Sequence, residues 1–428
     1  MRWPISWAAT LRSACCDAPP AGPAATRVTF GPHIESLRPC ETPGGVAGFR
    51  HDWTVTGDGA VIDRAGLQRL VEELHARGYR VIGPTRRDSA IVLSELSSAD
   101  DLPWGWGVDV APGSYRLRSR ADEAAFGHSA GPQSWKQFLH PPRQLLWSSA
   151  PAEPGQSADD PERPCAFLGV RGCDLAAIGV LDRVLAGGSH PDGSYASRRN
   201  RTFIVGVNCT EPGGLCFCDS MGTGPACGPG YDLALTERAG NGDRTVSYLI
   251  EAGSAAGTEV LAALPSRPAE PAEAAEASRA VEAAAGAMGR RMPEVDLRRL
   301  LIDSRESAHW SDVADRCLTC GNCTMVCPTC FCTSTADVTD LTGGHAERWM
   351  EWASCFELDF TSIHEGPVRR SGQSRYRHWL THKLSAWHDQ FGSSGCVGCG
   401  RCIAWCPTGI DITEEMATLA RQADSADD

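Results

Sequence analysis

Eight cysteines near the carboxyl end of the chain fall into two runs with the same spacing, C-x2-C-x2-C-x3-C. The runs consist of Cys317, Cys320, Cys323 and Cys327, and of Cys396, Cys399, Cys402 and Cys406. A proline follows each run, at Pro328 and Pro407. This pattern is typical of cysteines that bind [4Fe–4S] clusters, and two such runs predict two clusters. The chemistry that such clusters perform is the transfer of single electrons.

The two runs are expected to exchange their last ligand. In bacterial two-cluster ferredoxins the fourth cysteine of each run binds the cluster of the other run. The predicted ligand sets are therefore Cys317, Cys320, Cys323 and Cys406 for one cluster, and Cys396, Cys399, Cys402 and Cys327 for the other. This exchange requires the runs to meet in space, although 68 residues separate Cys327 from Cys396.

Zinc is the alternative to iron–sulfur clusters in these runs. Zinc sites usually pair two C-x2-C units across a gap of about a dozen residues or more, which fits the tight spacing poorly. Gly321 and Gly400 follow the second cysteine of each run, where a side chain would crowd a tight turn. The local sequence therefore favours loops that wrap a cluster.

Composition limits the class of protein. The chain has 428 residues, a net charge of −13 and no basic character that would indicate a nucleic-acid partner. Its 20 cysteines are unusually many, and in a chain of this length they indicate a reducing compartment rather than a secreted disulfide scaffold. No apolar stretch reaches the roughly 18 residues that span a bilayer. We expect a cytoplasmic protein with no membrane span.

The part of the chain before the cysteine runs predicts an α/β domain. Residues 61–78 have apolar residues at helical spacing and end at Gly78, a helix stop. Residues 79–96 hold two apolar runs broken at Gly83-Pro84, which predicts paired strands. Residues 151–163 form a polar, proline-rich stretch that predicts a loop.

A strand–helix–strand unit follows and places further cysteines at one sheet edge. Residues 166–170 and 202–207 predict strands, and Asp174 is expected to cap the helix between them. Parallel strands joined in this way end at the same edge. The cysteines expected there are Cys173, Cys209, Cys216 and Cys218, which predict a third [4Fe–4S] cluster, with Cys227 as the competing fourth ligand in place of Cys173. The competing interpretation is a set of unrelated buried thiols.

Composition shifts divide the chain into four predicted segments. Residues 1–25 are expected to be a disordered tail, and 26–251 to be the α/β domain that carries the third set of cysteines. Residues 252–296, rich in Ala, Glu and Pro, predict a linker running into a helix. Residues 297–428 are expected to be an α-helical, ferredoxin-like domain that binds the two clusters.

Three further cysteines lie close to the first run. Cys330 and Cys332 follow it directly, and Cys355 comes later, in WASCF. Three thiolates are one short of a cubane, so the sequence leaves open whether they bind a metal, line a cluster or have a structural role.

Several stretches resemble the β subunit of soluble sulfhydrogenases, a family shared with one of the subunits of anaerobic sulfite reductase. In the carboxyl half they are CLTCGNCTMVCPTCFC, SCFELDF, RYRHWLTHKLSAWHDQFG and SGCVGCGRCIAWCPTGIDITEE; in the amino half, GPQSWKQFLHPPRQLLW, GVRGCDLAAIGVLDRV and the stretch that ends CFCDSMGTGP. The resemblance covers roughly residues 60 to 420.

The resemblance implies an electron-transfer subunit. In that family a flavin subunit handles NAD(P)H, and a separate catalytic subunit carries out hydrogen or sulfite chemistry. The leading interpretation is the iron–sulfur subunit of an NAD(P)-linked [NiFe]-hydrogenase, with no catalytic residues of its own. Alternatives are the equivalent subunit of an anaerobic sulfite reductase, or a polysulfide or disulfide reductase with its site at Cys330, Cys332 and Cys355.

Overall fold

The computed structural model describes residues 59–149, 163–238, 245–364 and 366–427. The tail predicted at 1–25 and residues 151–162 of the predicted polar loop lie outside these ranges. In the ranges described, no helix is both long enough and apolar enough to cross a bilayer.

An eight-stranded sheet dominates the amino-terminal half. Its strands are β1 (Ala60–Asp63), β2 (Arg80–Arg87), β3 (Ala90–Glu95), β7 (Cys165–Arg171), β8 (Thr202–Asn208), β9 (Leu233–Arg238), β10 (Ser247–Ala252) and β11 (Arg267–Pro268). They lie in the order β11-β1-β10-β9-β8-β7-β2-β3. The central pairs β2–β7, β7–β8 and β8–β9 are parallel, and the others are antiparallel. The sheet is therefore mixed, as expected of an α/β region.

Two local predictions in this half are confirmed, one with a correction. The helix predicted at 61–78 is α1 (Arg64–Ala76), capped by the Asp63 carboxylate and followed by Gly78 at φ +88°. The predicted strand pair is β2 and β3, but its turn lies at Asp88 and Ser89 rather than at Gly83-Pro84. Pro84 is tolerated inside β2 because the parallel pairing with β7 ends at Ile82, so its missing N–H costs no ladder bond on that side.

The predicted strand–helix–strand unit consists of β7, α3 (Gly172–Leu181) and β8. The role predicted for Asp174 is wrong. The residue that caps α3 is Arg171, and it does so without a side-chain hydrogen bond. Asp174 lies in the first turn, buried, with its carboxylate 2.8 Å from the Arg401 guanidinium. An acidic residue in a first turn has the same sequence signature as a cap one position earlier, which explains the error.

The stretch 252–296 contains α5 (Ala255–Ala262) and α6 (Pro271–Gly286) as well as β11. One face of α6 buries Ala277, Val281 and Ala284. The segment boundaries predicted from composition stay a prediction.

The carboxyl-terminal half is rich in short helices. They are α7 (Leu297–Asp303), α8 (His309–Arg316), α9 (Asn322–Met325), α10 (Gly372–Thr381), α11 (Trp387–Phe391), α12 (Arg401–Ala404) and α13 (Ile412–Asp427). A helical turn of the π type joins α10 to α11. Their core includes Trp310, Trp379, Leu384 and Met416.

This half also contains strands that the sequence did not indicate. Strands β12 (Thr333–Thr339) and β13 (Ala346–Trp352) form a hairpin, and β13 pairs with β6 (Arg143–Ser148) of the amino-terminal half. The remaining elements are α2 (Lys136–Leu139), α4 (Gly193–Asn200), and the short pairs β4 (Trp106–Ala111) with β5 (Ser114–Ser119) and β14 (Ser362–Ile363) with β15 (Gly366–Pro367). The two halves thus share a sheet.

Candidate metal centre

The first cysteine run wraps a tight turn at the end of α8. Cys317 caps the carboxyl end of that helix, and Cys323 lies in α9. Between them Gly321 has φ +71°, and a Cβ there would lie 2.8 Å from the Ser354 hydroxyl. Only glycine fits this turn, because it needs a left-handed backbone where a neighbour is already in contact.

Two cysteines of the second run, Cys402 and Cys406, line an open cavity together with cysteines of the first run. Cys317, Cys320, Cys323 and Cys406 all line this cavity, whose volume is about 410 Å³ with its mouth included. Cys320 is exposed, and the remaining lining is largely apolar, with Phe356 among it. Four of the five cysteines that line the cavity are the ligand set predicted from the spacing, and the fifth, Cys402, belongs to the predicted set of the other cluster. This site is called site 1.

The other four thiols of the two runs meet in a more deeply buried place, called site 2. Its residues are Cys327, Cys396, Cys399 and Cys402. Burial raises the pKa of Cys396 to about 11. Burial also raises the pKa of Cys402, and the neighbouring Cys396, Cys399 and Cys327 raise it further. The second-run thiols at this site therefore resist ionisation together, as expected of a set that becomes negatively charged only when a metal shares the charge.

Lys383 holds the two runs together at site 2. Its ammonium lies 3.3 Å from the Cys327 sulfur and donates to the hydroxyl of Thr329 at 2.9 Å and to the carbonyl of Gly395 at 3.0 Å. The lysine therefore contacts a thiol of the first run and the residue just before Cys396. It places a fixed positive charge beside one predicted cluster ligand.

Site 3 comprises the four cysteines expected at the edge of the large sheet. Cys173 lies in the first turn of α3, and Cys209 directly follows β8. Burial raises the pKa of Cys216 to about 12, with further contributions from Cys173 and Cys209. A hydrogen bond with Cys173 and burial raise the pKa of Cys218. The structure thus brings these four thiols together where parallel strands end, as predicted.

Cys227 and Arg171 complete the surroundings of site 3. The Cys227 thiol donates to the Val170 carbonyl at 3.7 Å, and its amide donates to the Asn208 side chain at 2.8 Å. Burial and then Cys209 and Cys173 raise the pKa of Cys227, but Cys227 is not among the groups that act most strongly on Cys216 or Cys218. The buried Arg171 guanidinium donates to the Cys209 sulfur at 3.1 Å.

Sites 2 and 3 are in direct contact through their loops. The Phe217 amide donates to the Gly398 carbonyl at 2.9 Å, and the Thr223 hydroxyl donates to the Val397 carbonyl at 2.7 Å. Gly398 has φ +66°, and a Cβ there would lie 2.5 Å from the Cys218 Cα. The loops that carry the two sets of thiols are therefore packed backbone against backbone.

A buried ion pair spans the same boundary. Arg401, in α12, lies 2.8 Å from Asp174, and both side chains are less than 5% exposed. The arginine also donates to the carbonyls of Gly131 and Gln133, each at 3.2 Å. Because breaking a buried pair is costly, this contact fixes the second cysteine run against the helix that carries Cys173.

The three extra cysteines lie beside site 2. A hydrogen bond from Cys330 lowers the pKa of Cys327, and one from Cys355 lowers the pKa of Cys332 to about 7. Lys136 lies close by, because its ammonium donates to the Cys330 carbonyl at 2.8 Å. These thiols therefore lie in two pairs next to a buried cation.

Sequence reasoning missed the four cations at these sites, which are Lys136, Arg171, Lys383 and Arg401. A signal for two of them was present. Of the 40 lysines and arginines in the chain only two are lysines, and both of these lie among the thiols. Such a sharp bias was visible in the sequence, although the partners of each lysine were not, since they are distant along the chain.

Comparison with known proteins agrees with the site geometry. Residues 316–410 match the family model of the 4Fe-4S dicluster domain. The chain is 29% identical over 335 residues to sulfhydrogenase 2 subunit beta of Pyrococcus furiosus, in an alignment that covers 78% of this chain and 90% of that protein. No solved structure gives a significant match. The predicted resemblance is thereby confirmed: this chain contains a 4Fe–4S dicluster domain and is similar along most of its length to a sulfhydrogenase β subunit.

Proposed function

We propose that this chain is the iron–sulfur electron-transfer subunit of a hydrogenase complex. The observation that carries the proposal is that the eight cysteines of a 4Fe–4S dicluster domain lie beside a third set of four cysteines, whose loop packs directly on that of site 2. Site 1 opens to solvent at Cys320, site 2 is buried, and site 3 lies on the far side of the Gly398 contact. A series of this kind suits a protein that connects two redox partners.

The ligand sets follow from the spacing and from which thiols lie together. Site 1 would hold one cluster through Cys317, Cys320, Cys323 and Cys406; site 2 a second through Cys396, Cys399, Cys402 and Cys327; site 3 a third through Cys173, Cys209, Cys216 and Cys218. Each cluster, when bound, takes up and releases one electron. The contacts of Cys218 and Cys216 support Cys173 over Cys227 as the fourth ligand of site 3.

The chain's own residues set the environment of these ligands. Burial of the site 2 and site 3 thiols excludes water, and Lys383, Arg171 and Arg401 place positive charge next to thiols. Cations beside sulfur favour the more negative, reduced state of a cluster. Positioning and charge are thus the contributions of the protein.

The partners are proposed from the relative. That relative is named as the β subunit of a sulfhydrogenase, which supports a complex of several subunits. Within that complex we propose the partners that the family resemblance implies, a [NiFe] catalytic subunit and a flavin subunit for NAD(P)H. A catalytic sulfite reductase subunit is the alternative partner. We place the complex in the cytoplasm, on the argument that a cysteine-rich chain of this kind needs a reducing compartment.

Isolation of the complex tests this function. Purified without oxygen from cells that make all subunits, the chain should co-purify with a nickel-containing subunit. Its clusters should become reduced, as seen by paramagnetic resonance, when hydrogen is supplied to the complex but not when it is supplied to the chain alone. Co-purification with a sulfite-reducing subunit, and reduction unaffected by hydrogen, would transfer the proposal to sulfite reductase.

The exchange of ligands between the runs has its own test. Cys327→Ser should alter the resonance signal that Cys399→Ser alters and leave the signal that Cys320→Ser alters. The reason is that Cys327 acts on Cys399 and Cys402 of the second run, which supports its assignment to site 2. If Cys327→Ser and Cys320→Ser change the same signal, the proposed ligand sets are wrong.

A further inference from the structure

The only two lysines of the chain are both buried among thiols outside the ligand sets of sites 1 and 3. Lys136 is 3% exposed and Lys383 is 4% exposed. Lysine is normally a surface residue, since its compact ammonium is strongly hydrated. Every other basic side chain is an arginine or a histidine. A chain that uses lysine only at these two positions places a compact positive charge there and nowhere else.

The titratable groups nearest the two ammoniums are thiols and the other ammonium. Those that act most strongly on Lys136 in the described part of the chain are Cys330, Cys327, Lys383 and Cys332, and on Lys383 they are Cys327, Cys330 and Cys396. No carboxylate is among them. Lys136 is further fixed by its bond to the Cys330 carbonyl and by the Trp352 ring, whose centroid lies 3.7 Å from the ammonium.

Two buried lysines close together are both charged only beside a compensating negative charge. The Cys327 thiolate, already assigned to site 2, supplies one such charge. Three thiols remain at the same place: Cys330, Cys332 and Cys355, the last of them 7% exposed. The Ala353 amide donates to the Cys332 carbonyl at 2.9 Å, which holds the segment with Cys355 against the segment with Cys330 and Cys332. The backbone thus gathers three thiols against two cations.

We propose that Cys330, Cys332 and Cys355 bind a fourth iron–sulfur cluster, and that Lys136 and Lys383 neutralise its charge. The class of cofactor follows from the donors, since three thiolates without a histidine or carboxylate are soft ligands that suit iron–sulfur clusters. A thiolate-bound cluster carries net negative charge, and this charge would compensate the positive charges of the two ammoniums. This site, called site 4, lies beside Cys327 and adjoins Cys323 of site 1.

Iron and acid-labile sulfide decide between a cluster and packing thiols. The variant carrying Cys330→Ser, Cys332→Ser and Cys355→Ser, purified without oxygen beside the intact chain, should lose three to four irons while sites 1 to 3 keep their clusters. The resonance signal of site 2 should shift without being lost, because Cys330 hydrogen-bonds to its ligand Cys327. The matched control is Cys165→Ser, at the amino end of β7 and so at the opposite end of that strand from Cys173. Iron equal to that of the intact chain in the triple variant would overturn the proposal, whether or not the proposed function holds.

Two further measurements cover the remaining outcomes. If the triple variant fails to fold, the intact chain itself decides: about fifteen or more irons support site 4, and about twelve or fewer, with sites 1 to 3 filled, overturn it. A disulfide between Cys332 and Cys355, found by counting thiols in denatured protein before and after reduction, would also overturn it.

The role of the lysine has a separate readout. Lys136→Met should lower the reduction potential of one cluster, and Lys136→Arg should restore it, with iron content unchanged in the arginine variant. If Lys136 has only a structural role, Lys136→Met should change the unfolding temperature and leave the reduction potential of every cluster unchanged. That result would remove Lys136 from the proposal.

Discussion

A single side chain, Lys383, contacts the predicted ligand Cys327 of the first run and Gly395, the residue before the second run. Its ammonium is 3.3 Å from the Cys327 sulfur. Burial alone would lower the pKa of Lys383, but Cys327, Cys330 and Cys396 together outweigh burial and raise it. Lys383 is therefore charged at every ordinary pH, and its effect on site 2 is constant.

Removing that charge should make the cluster of site 2 harder to reduce. We expect Lys383→Met to lower its potential by roughly 60 mV, since losing about 1.4 kcal/mol of preference for the reduced state corresponds to that shift for one electron. Redox titration followed by paramagnetic resonance measures it.

Lys383→Arg serves as the control, because it keeps the charge in a bulkier group. It should shift the potential less than the methionine variant does. A potential that is unchanged or raised in Lys383→Met would show that the ammonium does not act on site 2.

At the scale of elements, the contact between the loops of sites 2 and 3 depends on Gly398. Gly398→Ala would drive a Cβ to within 2.5 Å of the Cys218 backbone, in a left-handed conformation that costs about 1 kcal/mol for alanine. We expect Gly398→Ala to lower the free energy of unfolding by about 3 kcal/mol or more and to reduce iron at site 3. Denaturant unfolding and iron analysis measure the two effects.

Gly392→Ala is a matched control for this prediction. Gly392 has nearly the same backbone, φ +70°, but nothing lies within 4 Å of the position of its Cβ. Gly392→Ala should therefore lower the free energy of unfolding only by the cost of placing alanine in a left-handed conformation. Equal effects of the two substitutions on denaturant unfolding would mean that the contact between the loops does not contribute to stability.

Elements with local signals were the ones that sequence predicted well. The α1 helix, the β7–α3–β8 unit and the cysteine runs all depend on neighbours within a few residues or on spacing that one loop imposes. The failures depend on distant partners. The turn at Asp88 was assigned to Gly83-Pro84, because the sequence does not show where the pairing with β7 stops.

The rest of the site depends on contacts between residues far apart along the chain, which the sequence does not show. The strand β6 pairs with β13, about 200 residues later, and Asp174 meets Arg401 instead of capping its own helix. The scarcity of lysine was visible in the sequence, but the thiol neighbours of Lys136 and Lys383 were not, because they are distant along the chain. What sequence could not supply was the choice of partner across the fold.

At the scale of the whole molecule, the three neighbouring sites are proposed to form one path for electrons. Removing the cluster of site 3 should therefore interrupt that path and leave the clusters of sites 1 and 2 intact. Cys218→Ala should remove about four irons and slow electron transfer between the chain and a partner subunit. Hydrogen activation with artificial dyes should survive, because that chemistry is assigned to another subunit. Iron analysis and dye-linked and NAD(P)H-linked assays of the complex make the measurement.

Cys165→Ala provides the control for that experiment, since it removes a cysteine at the opposite end of β7 from site 3. Its iron and electron transfer should match the unmodified chain. If the iron content of Cys218→Ala is unchanged, the cysteines of site 3 are packing residues and the protein has no third cluster.

The order of strands in the large sheet has a consequence for synthesis. Strand β1 lies between β10 and β11, so the sheet can close only after residue 268 has left the ribosome, and the loop with Cys218 is covered only when Gly398 arrives. At about 5 to 20 residues per second, synthesis from residue 268 to Gly398 takes roughly 6 to 26 seconds. During it the thiols of Cys216 and Cys218 lack their cover. The nascent chain, more than the finished protein, is therefore the form most open to oxidation by oxygen.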